Sequence, residues 1–125
     1  MTSNAEFLAF IRDTVRSVWA LELLLLLRRS APKAWAAQAL VDEMRASPGL
    51  VDANLQVFEA RGLVRREADD CWTYAPLSPV LAALCDRLAA TYKDAPVRLI
   101  NTIASPTDDR LRTLADAFRF KGDDK

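Results

Sequence analysis

The sequence predicts a mainly α-helical fold that carries one small β-hairpin, within an α+β class. Two observations predict it: Ser-Pro pairs that precede apolar residues at helical spacing, and two short strand-like stretches after Gly62. The 125 residues are 51% hydrophobic and 27% charged, and they include only three glycines. This composition favours one compact folded domain, 1–125, over a disordered chain.

The Ser-Pro pairs are predicted helix starts, because a serine side chain caps free backbone N–H groups and proline at the first helical position loses no hydrogen bond. The pairs are Ser47-Pro48, Ser78-Pro79 and Ser105-Pro106. The predicted helices cover residues 5–29 with a break near Ser17, then 34–46, 48–61, 79–93, 96–104 and 106–119.

The apolar run from Val18 to Leu27 is interrupted only by Glu22. It is too short to cross a bilayer, which takes about 20 residues. We therefore expect a helix that is buried on several sides, with Trp19 as a core or edge anchor and no membrane contact.

Gly62 is placed to end the helix at 48–61 in a left-handed conformation. Two strands are predicted after it, at 63–67 and 71–75, on either side of Ala68-Asp69-Asp70. The second contains Trp72, Thr73 and Tyr74, residue types that favour strands.

Three helices, a hairpin and a further helix thus follow one another around the segment Ser47-Pro48 … Val51 … Leu55 … Phe58 … Gly62-Leu63-Val64-Arg65-Arg66. This order resembles the winged helix-turn-helix module of MarR-like bacterial transcription regulators over residues 17–92. The resemblance implies a core at 17–92, a short first strand near Trp35, and flanking helices at 1–16 and 93–120 that are candidate dimerisation elements. The sequence itself predicts a frayed tail at 121–125. Residues 95–120 also resemble the tail of an uncharacterised proteobacterial family, which implies no function.

In MarR-like proteins the third helix of the module enters the major groove and the wing contacts the DNA backbone. Carried over to this sequence, the resemblance implies a cytoplasmic, homodimeric transcription regulator that binds double-stranded DNA. The candidate DNA contacts are Lys33, Asn54, Gln56, Arg61, Arg65 and Arg66.

The charges of this region argue against DNA binding. Between Lys33 and Trp72 there are five basic and seven acidic residues, and Asp69 and Asp70 occupy the wing tip. If Val51, Leu55 and Phe58 face the core, the outward face is partly apolar. An alternative function is therefore a protein-protein interaction module in a regulatory complex without DNA binding, with contacts at Leu50, Asp52, Val57 and Trp72. For Trp72, packing of the hairpin onto the helix at 48–61 is the competing interpretation.

Catalytic chemistry has little support in the sequence. There is no histidine, and Cys71 and Cys85 do not have the spacing of metal ligands, so we expect small apolar thiols. The acidic pairs Asp42-Glu43 and Asp69-Asp70 are adjacent, an arrangement that does not build a metal or acid-base site. We expect no enzyme activity, no metal, no cofactor and no targeting segment. A small-molecule pocket beside the terminal helices stays open as a third hypothesis.

Overall fold

The structure, a computed structural model, describes residues 3–104 of the chain. The described elements are α1 (Asn4–Thr14), α2 (Val18–Arg29), β1 (Trp35–Ala36), α3 (Ala37–Met44), α4 (Pro48–Ala60), β2 (Val64–Glu67), β3 (Cys71–Tyr74), α5 (Pro79–Asp94) and α6 (Pro96–Ala104). The mainly helical class with a small hairpin is therefore confirmed. The helix start at Ser105-Pro106, the helix predicted at 106–119 and the tail at 121–125 lie outside the described residues.

Serine hydroxyls cap four of the described helices. Each accepts a hydrogen bond from a backbone N–H three residues further on: Ser3 from Glu6 at 3.1 Å, Ser17 from Ala20 at 3.0 Å, Ser47 from Leu50 at 3.2 Å, and Ser78 from Leu81 at 3.2 Å. The predicted break near Ser17 and two of the predicted Ser-Pro starts are confirmed. The cap at Ser47 matters for the candidate site, because it fixes the residue at which α4 begins.

The apolar run forms α2, and Ala20, Leu21 and the five leucines from 23 to 27 are all buried. Trp19 departs from this pattern, since 45% of its side chain is exposed. Of the two positions predicted for Trp19, the core is therefore wrong, and an anchor at the edge of the core stays a prediction. Within the described residues, no helix is both long enough and apolar enough to span a membrane.

The three strands form one antiparallel sheet in the order β1-β3-β2. Trp72 on β3 pairs with Trp35 on one side and with Arg66 on the other. Directly paired residues project from the same face, so these three side chains form a row across the sheet. The short strand expected near Trp35 is confirmed, and it is the reason that α3 begins at Ala37 rather than at residue 34.

Gly62 has a φ of +78°, as predicted for the residue that ends this helix. We expect Gly62→Ala to lower the free energy of unfolding by about 1–2 kcal/mol, because an L residue is strained in this conformation. The added Cβ would also meet Leu77 Cδ1 at 2.9 Å, although that exposed side chain can move aside.

Urea unfolding of the two variants Gly62→Ala and Gly49→Ala measures this effect. Gly49 is the matched control, because it is helical and a Cβ there would meet nothing within 4 Å. Equal stability of the two variants would contradict the assigned backbone conformation at Gly62.

Candidate nucleic-acid interface

The helix α4 is anchored by Val51, Leu55 and Phe58, which are at most 2% exposed. It packs against α2, α3 and β2. Asp52 and Gln56 lie on its exposed side, as the helical phase predicts. The structure therefore leaves one face of α4 open to a partner.

Two apolar residues of α4 are less exposed than the helical phase predicts. Leu50 and Val57 are half-buried, and Val57 packs against the core. Because α4 contacts three elements, its buried stripe is wider than the three anchor residues. The prediction of an exposed apolar reading face is wrong.

Trp72 is 3% exposed, so its assignment as a partner-facing residue is also wrong. Trp72 belongs to the hydrophobic core instead, and its packing onto α4 stays a prediction. Of the four residues proposed for a protein interface, Asp52 alone has the exposure that a docking residue needs.

Two exposed cations lie over indole rings at opposite edges of the sheet. Lys33 Nζ is 3.8 Å from the ring centroid of Trp35, and Arg66 Cζ is 4.5 Å from that of Trp72. The indole N–H of Trp35 donates to Ser30 Oγ at 2.8 Å, which fixes this ring. Cation-π attraction thus holds both charges near the sheet while their polar ends stay accessible to solvent.

Arg65 is engaged by a carboxylate. Its Nε and Nη2 donate to Glu67 Oε2 at 2.9 and 2.7 Å. The hydrogen bond from Arg65 is the main reason that the pKa of Glu67 lies below its usual value. Arg65 is therefore exposed and charged, but part of its field is neutralised by Glu67.

The remaining candidate contacts differ in availability. Asn54 Nδ2 donates to the Leu50 carbonyl at 3.0 Å, so this amide is held against its own helix. Gln56 is exposed on α4, and exposed Arg61 is the C-cap of the same helix. Gln56 and Arg61 therefore have the exposure that a contact needs, whereas the Asn54 amide is already hydrogen-bonded within α4.

The hairpin turn carries the predicted negative charge. Asp69 and Asp70 are exposed and have φ values of 62° and 55°. Aspartate tolerates the left-handed region better than most residues. Among the described residues, no group of three or more acidic, cysteine or histidine side chains could hold a metal ion.

The two thiols have different surroundings. Cys85 is buried, and burial is the main cause that raises its pKa to about 11. Cys71 is half-buried in the hairpin. At pH about 8 we expect Cys71 to react quickly with a disulfide reagent. We expect Cys85 to react only slowly, since the thiolate is the reactive form of a cysteine.

Stopped-flow thiol titration in buffer and in urea tests this expectation. Cys71→Ser should remove the fast phase, and urea should make both thiols of the unaltered chain fast. A fast phase that persists in Cys71→Ser would contradict the burial of Cys85.

Comparisons with known proteins identify solved structures that are similar to this chain. No family profile and no curated protein sequence matches the chain. One similar solved structure is the homodimeric winged helix-turn-helix DNA-binding domain of a possible ArsR-family transcriptional regulator from Mycobacterium bovis. The two chains are 22% identical with a TM-score of 0.53, and the match covers 76% of this chain and 91% of that one. Another is a MarR family transcriptional regulator from Silicibacter pomeroyi, with 21% identity and a TM-score of 0.52. That match covers 95% of this chain and 85% of the other.

At such identities the likeness is one of fold. In the order of its elements, the chain has α3 and α4 where this fold has its helix-turn-helix, and β2 and β3 where it has the wing. The chain has the winged helix-turn-helix fold.

Proposed function

We propose that the chain is a transcription regulator that binds double-stranded DNA through α4 and the wing. The observation that carries this proposal is the pair of cations, Lys33 and Arg66, held over indole rings at the two edges of the sheet. Two solved structures of the same fold bear the names of transcription regulators, which supports the same use here.

The roles of the residues follow from DNA chemistry. An α-helix fits the major groove, where the amide of Gln56 can pair with the donor and acceptor edge of adenine. Lys33, Arg61 and Arg66 can neutralise phosphates, and Arg65 can do so once it leaves Glu67. If all four cations contact phosphates, the logarithm of the binding constant falls with log salt at a slope of about −3.6 per chain.

The protein-interaction alternative is weaker. Leu50, Val57 and Trp72 are wholly or partly covered by the chain itself. No described contact favours this second function, and we do not propose it.

Fluorescence anisotropy with a labelled mixed-sequence duplex tests the proposal. We expect measurable binding at about 50 mM salt and a loss of more than tenfold at about 200 mM. Undetectable binding at the lower salt would overturn DNA binding as the function.

A homodimer is part of the proposal, and it would place two α4 helices on one operator. The similar Mycobacterium bovis domain is homodimeric. Leu8 on α1 and Val97 on α6 are 43% and 70% exposed, which gives the flanking helices apolar surface to bury. Sedimentation equilibrium should give twice the mass of one chain, and a single-chain mass would contradict the proposed homodimer.

Such a regulator would act in the bacterial cytoplasm, where the DNA is.

Glu67→Gln is expected to raise the affinity for DNA about two- to fivefold, because it removes a negative charge and frees Arg65 for phosphate. The same anisotropy titration measures the change. Asp94→Asn, at the far end of α5, makes the same change in charge away from the wing and should leave the affinity unaltered. Equal effects of the two variants would mean that overall charge, not the release of Arg65, is responsible.

A further inference from the structure

A cleft of about 410 Å³ lies between one face of α2 and the end of α3. Its α2 wall comes from positions 18, 22, 26 and 29, which a helical period places on one side of the helix. Glu43 and Met44 close it from α3. The cleft therefore uses residues that play no part in the proposed contact with DNA.

Trp19 gives this cleft its aromatic wall. It is 45% exposed, in a helix whose next residues, Ala20 and Leu21, are fully buried. An indole left at a cleft offers a flat π-face on which an apolar or cationic ligand can stack. The thioether of Met44 and the side chain of Leu26 supply further apolar surface.

Glu22 gives the cleft a fixed negative charge. Its side chain is half-buried, and Tyr92 O–H donates to its Oε2 at 2.6 Å. No other described residue forms a hydrogen bond to Glu22, so Oε1 is available to a ligand. A half-buried carboxylate is screened less by solvent and salt than an exposed one, so Glu22 interacts with a bound charge more strongly than an exposed carboxylate would.

Two exposed charges complete the lining. Glu43 adds a second carboxylate, and Arg29 adds one guanidinium in the last turn of α2. Neither forms an ion pair within the described part of the chain. Two carboxylates thus face one guanidinium in the lining, and of these three charged groups only Glu22 is half-buried, which favours a positively charged ligand.

We propose that this cleft binds an organic cation with a bulky apolar body, which stacks on Trp19 and pairs with the carboxylate of Glu22. Ligands of the quaternary ammonium or phosphonium class have this chemistry. The site lies apart from α4 and the wing, so its occupation can be measured on the full chain without DNA and does not rest on the proposed function.

Two probes of nearly equal size and opposite charge test the proposal: tetraphenylphosphonium and tetraphenylborate. Calorimetry should show that the cation binds at least about tenfold more tightly than the anion, and the indole N–H resonance of Trp19 should shift with it. Equal binding of the two probes, preference for the anion, or no binding of the cation would each overturn the proposal.

Charge variants test the residues. Glu22→Gln should weaken binding of tetraphenylphosphonium about tenfold, and Arg29→Gln should tighten it, since the two changes move the local charge in opposite directions. Glu59→Gln, an exposed carboxylate of α4 outside the cleft, is the matched control and should change nothing.

Glu43→Gln covers the case in which Glu22→Gln does not fold, because Glu43 is exposed. It should weaken binding about two- to threefold, as expected for a screened charge. If neither glutamate variant differs from Glu59→Gln, the carboxylates do not select the cation and the proposal fails.

Discussion

Phe58→Ala is expected to lower the free energy of unfolding by about 3–5 kcal/mol, the range for removal of a buried aromatic ring. Phe58 is fully buried at the last turn of α4, and its carbonyl accepts the backbone N–H of Leu63 at 2.9 Å. The side chain thus anchors α4 where the chain turns into the wing. Because small domains have total stabilities of about 5–15 kcal/mol, this single change should leave a marginal fold.

Urea unfolding followed by circular dichroism measures the loss. Glu59→Ala alters the adjacent exposed residue and should shift the stability by less than about 0.5 kcal/mol. A loss below about 1 kcal/mol for Phe58→Ala would contradict the packing of α4 described above.

Replacing Lys33 and Arg66 together by glutamine is expected to weaken DNA binding by about 10- to 100-fold at low salt. The slope of log affinity against log salt should become shallower by about 1.8, the contribution of two phosphate contacts. Glutamine retains part of each aliphatic stem over Trp35 and Trp72, so the sheet should keep its packing.

The matched control replaces Lys93 and Arg98, two exposed cations of α5 and α6, by glutamine. It removes the same charge from the other end of the fold and should leave the salt slope unchanged. Equal losses in the two double variants would show that net charge, rather than the cations at the sheet, governs binding.

Local signals in the sequence predict most of the helical frame. Ser47 and Ser78 cap helices as their Ser-Pro pairs indicate, and Gly62 adopts the positive φ expected of it. These features depend on neighbouring residues alone, which is why a pattern along the chain can find them.

The cation-indole pairs were missed although one signal was present. The turn at 68–70 was predicted, and a hairpin centred on it pairs Arg66 with Trp72. The pairing of Trp35 with Trp72 has no such local signal, because β1 reaches β3 from a distant part of the chain.

Exposure was the least predictable property. Trp19 belongs to an apolar run and yet faces a cleft, while Val57 lies off the predicted buried stripe and yet packs against the core. Both outcomes depend on how many elements surround a helix, which the helical period of one segment cannot show.

A ¹H–¹⁵N chemical-shift titration of the full chain with a short DNA duplex tests the central claim most directly. The account predicts that the largest changes fall on α4 at Gln56 and Arg61, and beside the sheet at Lys33 and Arg66, with little change at Trp19. Changes confined to α1, α5 or the Trp19 cleft, or no changes at low salt, would contradict DNA binding through α4 and the wing.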